Sequence, residues 1–218
     1  MKKQVLVSGI LAAAMMGAVA LSTTHSGAAA AAPQQAAPRV KPADLTGTWA
    51  IDNAHTEIGF AVTHLGVSKT RGRFTEFDGS LKVDGQKPEN SSVEVAIKVD
   101  SINTGNPKRD EHLRGADFFD AAKYPYIRFK SNSIKKTSNN AYIANGNLTI
   151  KNVTKPILLR FTPTTAVKGP DGKLHAGMST SVSINRKEYG LTWNGIVEGV
   201  QAVGDMVDIS IDLEAIKQ

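Results

Sequence analysis

Ser92-Val93-Glu94-Val95-Ala96-Ile97-Lys98-Val99-Asp100 is the stretch of sequence that decides the fold. Its β-branched residues occupy every second position and alternate with Glu94, Ala96, Lys98 and Asp100. Because successive side chains of a β-strand point to opposite faces, this alternation predicts a strand with one apolar face and one face in water. The pattern returns over 207–214 near the C-terminus. Many such strands bury their apolar faces together by closing into a barrel or by stacking as a sandwich.

Nine segments in all have a strand pattern, and most are joined by residues that are typical of tight turns, such as Asp84-Gly85. The segments are 47–52, 57–64, 69–84, 92–101, 126–135, 141–151, 155–167, 173–185 and 205–215. In the third segment Phe74 is out of phase with Phe77, which predicts a bulge at Thr75 and Glu76 that bends the sheet towards closure.

One short helical insert, near residues 107–122, interrupts this pattern. Pro107 suits the first turn of a helix, Gly115 interrupts the helical composition, and Pro125 ends it. Leu113, Phe118 and Phe119 give this insert an apolar stripe. We expect the insert to cover one end of a barrel.

The N-terminal part of the chain predicts export. Lys2 and Lys3 precede an uncharged apolar stretch over 5–21, and small residues follow over 28–32, as in a secretory signal peptide that is cleaved. We therefore expect a signal peptide over 1–31, a flexible Ala/Pro-rich linker over 32–45 and one domain over 46–218. An uncleaved anchor is the alternative for the leader. The expected location is the periplasm, with secretion as the alternative.

Charge and motif content argue against several functions. The chain has a net charge of +6, and loss of Lys2 and Lys3 with the leader leaves +4. Acidic and basic residues are interspersed rather than clustered, so the sequence favours no nucleic-acid partner, although transient contact with an anionic membrane surface stays open. Phosphate-binding glycine motifs are missing from the sequence, so no nucleotide cofactor is expected.

The histidines of the mature chain do not have the spacing of a metal site, so the sequence predicts no metal and no cofactor. His64 shares strand parity with Phe60 and Val62, which favours an interior position, and the alternatives for it are a hydrogen-bonded core or rim residue or a contact for a ligand.

Residues 109–112 read Arg-Asp-Glu-His and bring a cation, acids and an imidazole together. The first turn of a helix favours acidic side chains without any catalytic role, and neither a serine elbow nor a carboxylate pair accompanies the group. We therefore predict no enzyme. The residues that are candidates for contact with the polar head group of a lipid are His64, Arg109, His112 and Arg186.

A set of ordered motifs now supports a resemblance. The motifs are Trp49-Ala50-Ile51-Asp52 with His55, Ile58-Gly59-Phe60 with His64, Gly72-x-Phe74, Phe77-Asp78-Gly79, Arg109-Asp110-x-His112-Leu113, Asp117-Phe118-Phe119-Asp120, Tyr124-Pro125 with Phe129, Gly146-x-Leu148-Thr149-Ile150, Thr154-Lys155-Pro156 and Arg186-x-x-x-Gly190. Over the whole mature domain the chain resembles the YceI-like family of bacterial periplasmic polyisoprenoid-binding proteins.

The resemblance implies an all-β fold: an eight-stranded antiparallel, lipocalin-like barrel, often a homodimer. Its tunnel would hold an isoprenoid quinone, a polyprenyl carrier or a similar long-chain amphiphile for transport or storage. Since nine segments exceed eight, one must be short, split or outside the barrel. The implied tunnel wall consists of Phe60, Val62, Leu81, Val95, Ile97, Leu113, Phe118, Phe119, Phe129, Ile150 and Leu159.

Two alternatives stay open at this point. One is a lipid-modifying enzyme at the barrel mouth. The other is a stress-response or adhesion module whose barrel is filled by its own side chains, as small eight-stranded barrels can be.

Overall fold

A computed structural model describes residues 42–138, 140–197 and 199–218. The predicted signal peptide and most of the predicted linker lie outside the described residues. The strands are β1 (Gly47–Ile51), β2 (Glu57–His64), β3 (Ser68–Phe74), β4 (Phe77–Val83), β5 (Ser92–Lys98), β6 (Ile102–Asn103), β7 (Tyr126–Ser138), β8 (Ala141–Ile150), β9 (Val153–Pro163), β10 (Val167–Lys168), β11 (Leu174–Asn185), β12 (Ile196–Val197), β13 (Val200–Gln201) and β14 (Val203–Lys217). The helix α1 is Pro107–Arg114, and short 3-10 turns are Pro42–Leu45, Pro88–Asn90, Val99–Ser101 and Arg186–Tyr189.

The strands close into an eight-stranded antiparallel barrel, as predicted. β11 pairs with β9 on one edge and with β14 on the other, and β14 returns to β1 and β2. β2 pairs with 203–212 of β14 and β1 pairs with 215–217, so β1 and β2 are two halves of one barrel strand. The excess ninth segment is therefore a strand that is split in two. β3 with β4, and β5 with β6, are split in the same way.

The predicted irregularity at Thr75 and Glu76 coincides with the break between β3 and β4. The break lets both Phe74 and Phe77 turn inward, where they are buried. The Thr75 hydroxyl donates to the carbonyl of Ser101, and the Lys98 N–H donates to the carbonyl of Glu76. These hydrogen bonds join the break between β3 and β4 to the break between β5 and β6, so both neighbouring strands bend at the same place.

Chain direction defines two ends of the barrel. At the hairpin end lie the β4–β5, β7–β8 and β9–β11 connections and the start of β1. At the helix end lie α1, the 65–67 turn and the 186–202 segment. The buried core residues at the helix end include Val99, which is 1% exposed, and Tyr189, which is 2% exposed.

The helical insert forms where it was predicted, with α1 followed by turns. The Asn106 side chain caps α1 by accepting the Arg109 N–H at 3.1 Å. None of the helices among the described residues combines the length and apolar character that crossing a bilayer requires.

The last four residues of the predicted flexible linker, 42–45, have regular structure. Residues Pro42–Leu45 form a 3-10 turn, and the Trp49 indole donates to the Leu45 carbonyl at 2.9 Å. Leu45 also packs against the buried cluster around Trp49. The folded domain thus begins a few residues before the expected boundary at residue 46.

Candidate ligand-binding cavity

The barrel encloses a cavity of about 1100 Å³ that reaches from the hairpin end to the helix end. All eleven residues of the expected tunnel wall line it: Phe60, Val62, Leu81, Val95, Ile97, Leu113, Phe118, Phe119, Phe129, Ile150 and Leu159. Strand parity together with the resemblance therefore placed the eight strand residues of this set on the correct face, and Leu113, Phe118 and Phe119 lie at one end as the resemblance implied. Their contact with a ligand stays a prediction.

The burial of the wall residues shows that the barrel is hollow. Val93, Val95 and Ile97 face the interior, yet each is only half-buried. In a filled barrel the same side chains would be enclosed by neighbours across the axis, at the packing density of a protein core. Because the space at the barrel axis is empty, one side of each of these three side chains has no protein contacts. The alternative of a barrel filled by its own side chains is therefore wrong.

Glycines allow aromatic rings to lie against the wall. A Cβ atom on Gly72 would be 2.4 Å from Cζ of Phe60, and one on Gly146 would be 2.5 Å from Cζ of Phe129. Each ring thus occupies the space above a glycine. This placement keeps two large side chains out of the centre of the cavity.

Aromatic and aliphatic side chains close the cavity at the helix end. Phe74 and Phe119 meet edge to face with ring centroids 6.1 Å apart. The ring centroids of Phe118 and Trp193 are 5.0 Å apart, and the His112 ring lies edge to face with each of these two rings. The insert therefore covers one end of the barrel, as expected.

Arg186 lies at this end and lines the cavity, but its donors are engaged by the backbone. Nε donates to Gly204 O at 2.8 Å, Nη1 to Leu191 O at 2.5 Å and Trp193 O at 2.8 Å, and Nη2 to Val203 O at 3.2 Å. Burial lowers the pKa of the guanidinium, and nearby Asp205 opposes this effect. Four of its five N–H groups bind carbonyl oxygens, so the side chain secures the 191–204 segment.

The other three head-group candidates do not line the cavity. Arg109 donates to the hydroxyl and the carbonyl of Thr104 at 2.8 and 2.9 Å, and His112 Nε2 lies 3.0 Å from Asp117 Oδ2. His64 is exposed at the end of β2, so it occupies the rim position that the sequence left open and does not face the interior. The strand pairing becomes irregular next to it, where β14 shifts register between Val203 and Val207.

Asp110, the acid of the same group, is buried and structural. Its Oδ1 accepts the Thr104 N–H at 2.9 Å and the Thr104 hydroxyl at 2.5 Å. The acid and the imidazole of this segment are thus engaged in separate local contacts rather than directed together at the cavity.

Polar side chains that the sequence did not single out border the cavity at the hairpin end. They are Lys82, Asp84, Gln86, Ser91, Ser92, Lys136, Asn140, Thr164 and Thr165. Several of them, including Lys82, Lys136 and Asn140, are exposed. The cavity is therefore apolar along its length and polar at the opening. Parity could not have found these residues, because they lie at strand ends and in turns; Asp84-Gly85 was recognised only as a turn.

These features define a small antiparallel β-barrel with an internal apolar cavity. The chain belongs to the YceI-like family, since the family model described as YceI-like domain matches residues 49–215.

Known proteins agree with this membership. A UPF0312 protein of Azotobacter vinelandii is 33% identical over 167 residues, which cover 77% of this chain and 84% of that protein. The crystal structure of the Campylobacter jejuni YceI protein is similar with a TM-score of 0.62, 33% identity and coverage of 77% of this chain and 96% of that chain. A polyisoprenoid binding domain from Saccharophagus degradans, implicated in plant cell wall breakdown, shares the fold with a TM-score of 0.59 at 13% identity, covering 78% and 98% of the two chains.

Proposed function

We propose that the protein binds a polyisoprenoid or a similar long-chain amphiphile, with the tail in the barrel and the head group at the hairpin end. The single observation that carries this proposal is the hollow apolar cavity of about 1100 Å³. The S. degradans domain of the same fold, which is described as polyisoprenoid binding, agrees with it. Periplasmic transport or storage of the lipid is part of the proposal.

The size of the cavity favours a long tail over a small ligand. A group the size of a water molecule, such as a methylene, takes up about 30 Å³, so the cavity has room for roughly 35 such groups. Burial of ten methylenes alone provides about 8 kcal/mol, at about 0.8 kcal/mol each, before the costs of association are subtracted. Binding by this route requires no covalent step, and we propose none.

The polar border of the opening supports the orientation of the ligand. Lys136 supplies positive charge there, Asp84 supplies a carboxylate, and Asn140 supplies an amide. At the helix end Arg186 is the one charged residue that lines the cavity among the described residues, and its donors are largely used. A polar head group is therefore better solvated and better paired at the hairpin end.

The test compares a variant that fills the cavity with one that does not. V95W places an indole inside the barrel, whereas E94W places the same indole on the outer face of the same strand. Delipidated protein is titrated with a long-chain polyprenyl alcohol. Wild type and E94W should bind one molecule per chain, and V95W should bind at least about tenfold more weakly.

Equal binding by V95W and wild type would contradict the proposal, provided that both variants unfold at similar temperatures. So would the absence of saturable binding by the wild type.

A further inference from the structure

Three side chains that are typical metal ligands meet on the outer face of the barrel, at the break between β1 and β2. One ligand atom from each of Asp52, His55 and Glu214 lies within 4.8 Å of the other two. His55 Nδ1 is 2.9 Å from Asp52 Oδ2. Leu213 and Ala215 line the lipid cavity, so Glu214 between them points away from it. The cluster is therefore separate from the cavity.

Backbone contacts hold the three residues in place without using the ligand atoms. The Asp52 N–H donates to Glu214 O at 2.9 Å. The Thr56 hydroxyl donates to the same carbonyl at 3.2 Å and accepts the Glu214 N–H at 3.0 Å. Asp52 Oδ1 accepts the Ala54 N–H at 2.9 Å, which leaves Oδ2 directed at His55. The segment 52–56 is thus fixed to β14.

A second imidazole orients the Glu214 carboxylate. His175 Nδ1 lies 2.8 Å from Glu214 Oε1, and its Nε2 lies 3.0 Å from Asp171 Oδ1. The His175 side chain is 18% exposed, so it is largely held by these two contacts. Carboxylates that bind metal ions are commonly hydrogen-bonded by outer-shell groups in this way.

Space and charge at the cluster both favour a cation. An open surface pocket of about 270 Å³ lies beside the cluster and is lined by His55, His175 and Glu214, which leaves room for an ion with its waters. Within the described part of the chain, the ion pairs of Asp52, Asp171 and Glu214 are made with histidines alone. No lysine or arginine in that part pairs with these three carboxylates.

We propose that Asp52, His55 and Glu214 bind a divalent transition-metal ion of the zinc class, with His175 as a positioning residue for Glu214. Imidazole nitrogen and carboxylate oxygen are zinc ligands at about 2.0 to 2.2 Å, and three protein ligands leave a fourth position for water. Two ligands of a tetrahedral site at this range are about 3.3 to 3.6 Å apart. The Asp52–His55 pair at 2.9 Å therefore has to open slightly, and any separation near the 4.8 Å limit has to close. His55 is mostly exposed and is free to adjust. The ion would join the broken strand to β14.

The experiment is a calorimetric titration of the untagged mature protein with Zn²⁺. The expected result is one ion per chain. D52N, H55A and E214Q should each weaken binding at least about tenfold, and H175A should weaken it by roughly 10 to 100-fold as an outer-shell change. D52N is conservative, because asparagine keeps the oxygen that accepts the Ala54 N–H.

D117N is the matched control. Asp117 also lies 3.0 Å from a histidine, His112, but belongs to no three-ligand group among the described residues. It should bind zinc as the wild type does. The proposal is overturned by a wild type that takes up no stoichiometric zinc, by equal affinity in folded D52N, H55A and E214Q, or by a site that prefers Mg²⁺ or Ca²⁺. Binding of polyprenyl alcohol should not change in any of these variants, so the two proposals fail separately.

Discussion

Replacement of Arg186 separates two roles that the residue could have. A head-group contact would make the guanidinium important for ligand affinity, whereas the structure makes it important for stability. Its four hydrogen bonds reach the carbonyls of Leu191, Trp193, Val203 and Gly204 and hold the segment over the helix end. The side chain is almost fully buried, so these carbonyls have little access to water when the donors are removed.

The magnitude follows from the number of bonds. At about 1 kcal/mol net for each hydrogen bond, the loss of all four in R186M costs about 4 kcal/mol of unfolding free energy. For a domain of this size that corresponds to a decrease of roughly 8 to 16 °C in Tm. R186K keeps the charge but loses the planar fork, so we expect about half of the effect.

Urea unfolding followed by circular dichroism measures the loss, and R160K is the control because Arg160 is exposed. R160K should change the unfolding free energy by less than about 0.5 kcal/mol. If R186K unfolds like the wild type but loses affinity for polyprenyl alcohol, the structural role is refuted and the head-group role is supported.

Three further predictions concern the wall, the insert and the surface. G146A should cost about 1 to 3 kcal/mol, because the new Cβ meets the Phe129 ring; G195A, where the nearest atom is 3.6 Å away, should be close to neutral, and equal melting temperatures would contradict this. D110A should cost about 2 kcal/mol by leaving the Thr104 donors unpaired, and E111A on the exposed face should not; thermal unfolding tests the difference. Hydrogen bonds from Lys69 and then Ser183 lower the pKa of Asp208, so its contribution to stability is present above about pH 3.9 and is lost as pH falls through the folded value. D208N should therefore flatten the acid end of the stability curve, and an unchanged slope there would contradict the pairing.

For the wall residues that lie on strands, parity agreed with what the resemblance implied, because the side-chain period of two is a local property of the sequence. The alternation around Val95 and Ile97 placed both in the cavity. The insert at Pro107 was equally local, since proline, glycine and a capping asparagine define its limits. The sequence could not show that β1 and β2 belong to one barrel strand, because only their pairing with the same edge of β14 reveals it.

The polar contacts could not be predicted for the same reason. Arg186 was a head-group candidate, yet its donors bind backbone carbonyls 5 to 18 residues further along the chain, which only the tertiary fold brings to the guanidinium. Parity also gives no information about turns, so the polar border near Lys82 and Lys136 was missed. Asp52 and Glu214 are far apart in the sequence, and no spacing rule for metal ligands covers them.

Mass spectrometry of an organic extract of the protein as purified shows whether the barrel carries a long hydrocarbon. We expect one long-chain lipid per chain in the wild type and in E94W, and much less in V95W. An extract of folded wild type that contains no stoichiometric lipid, or as much lipid from V95W as from wild type, would contradict it.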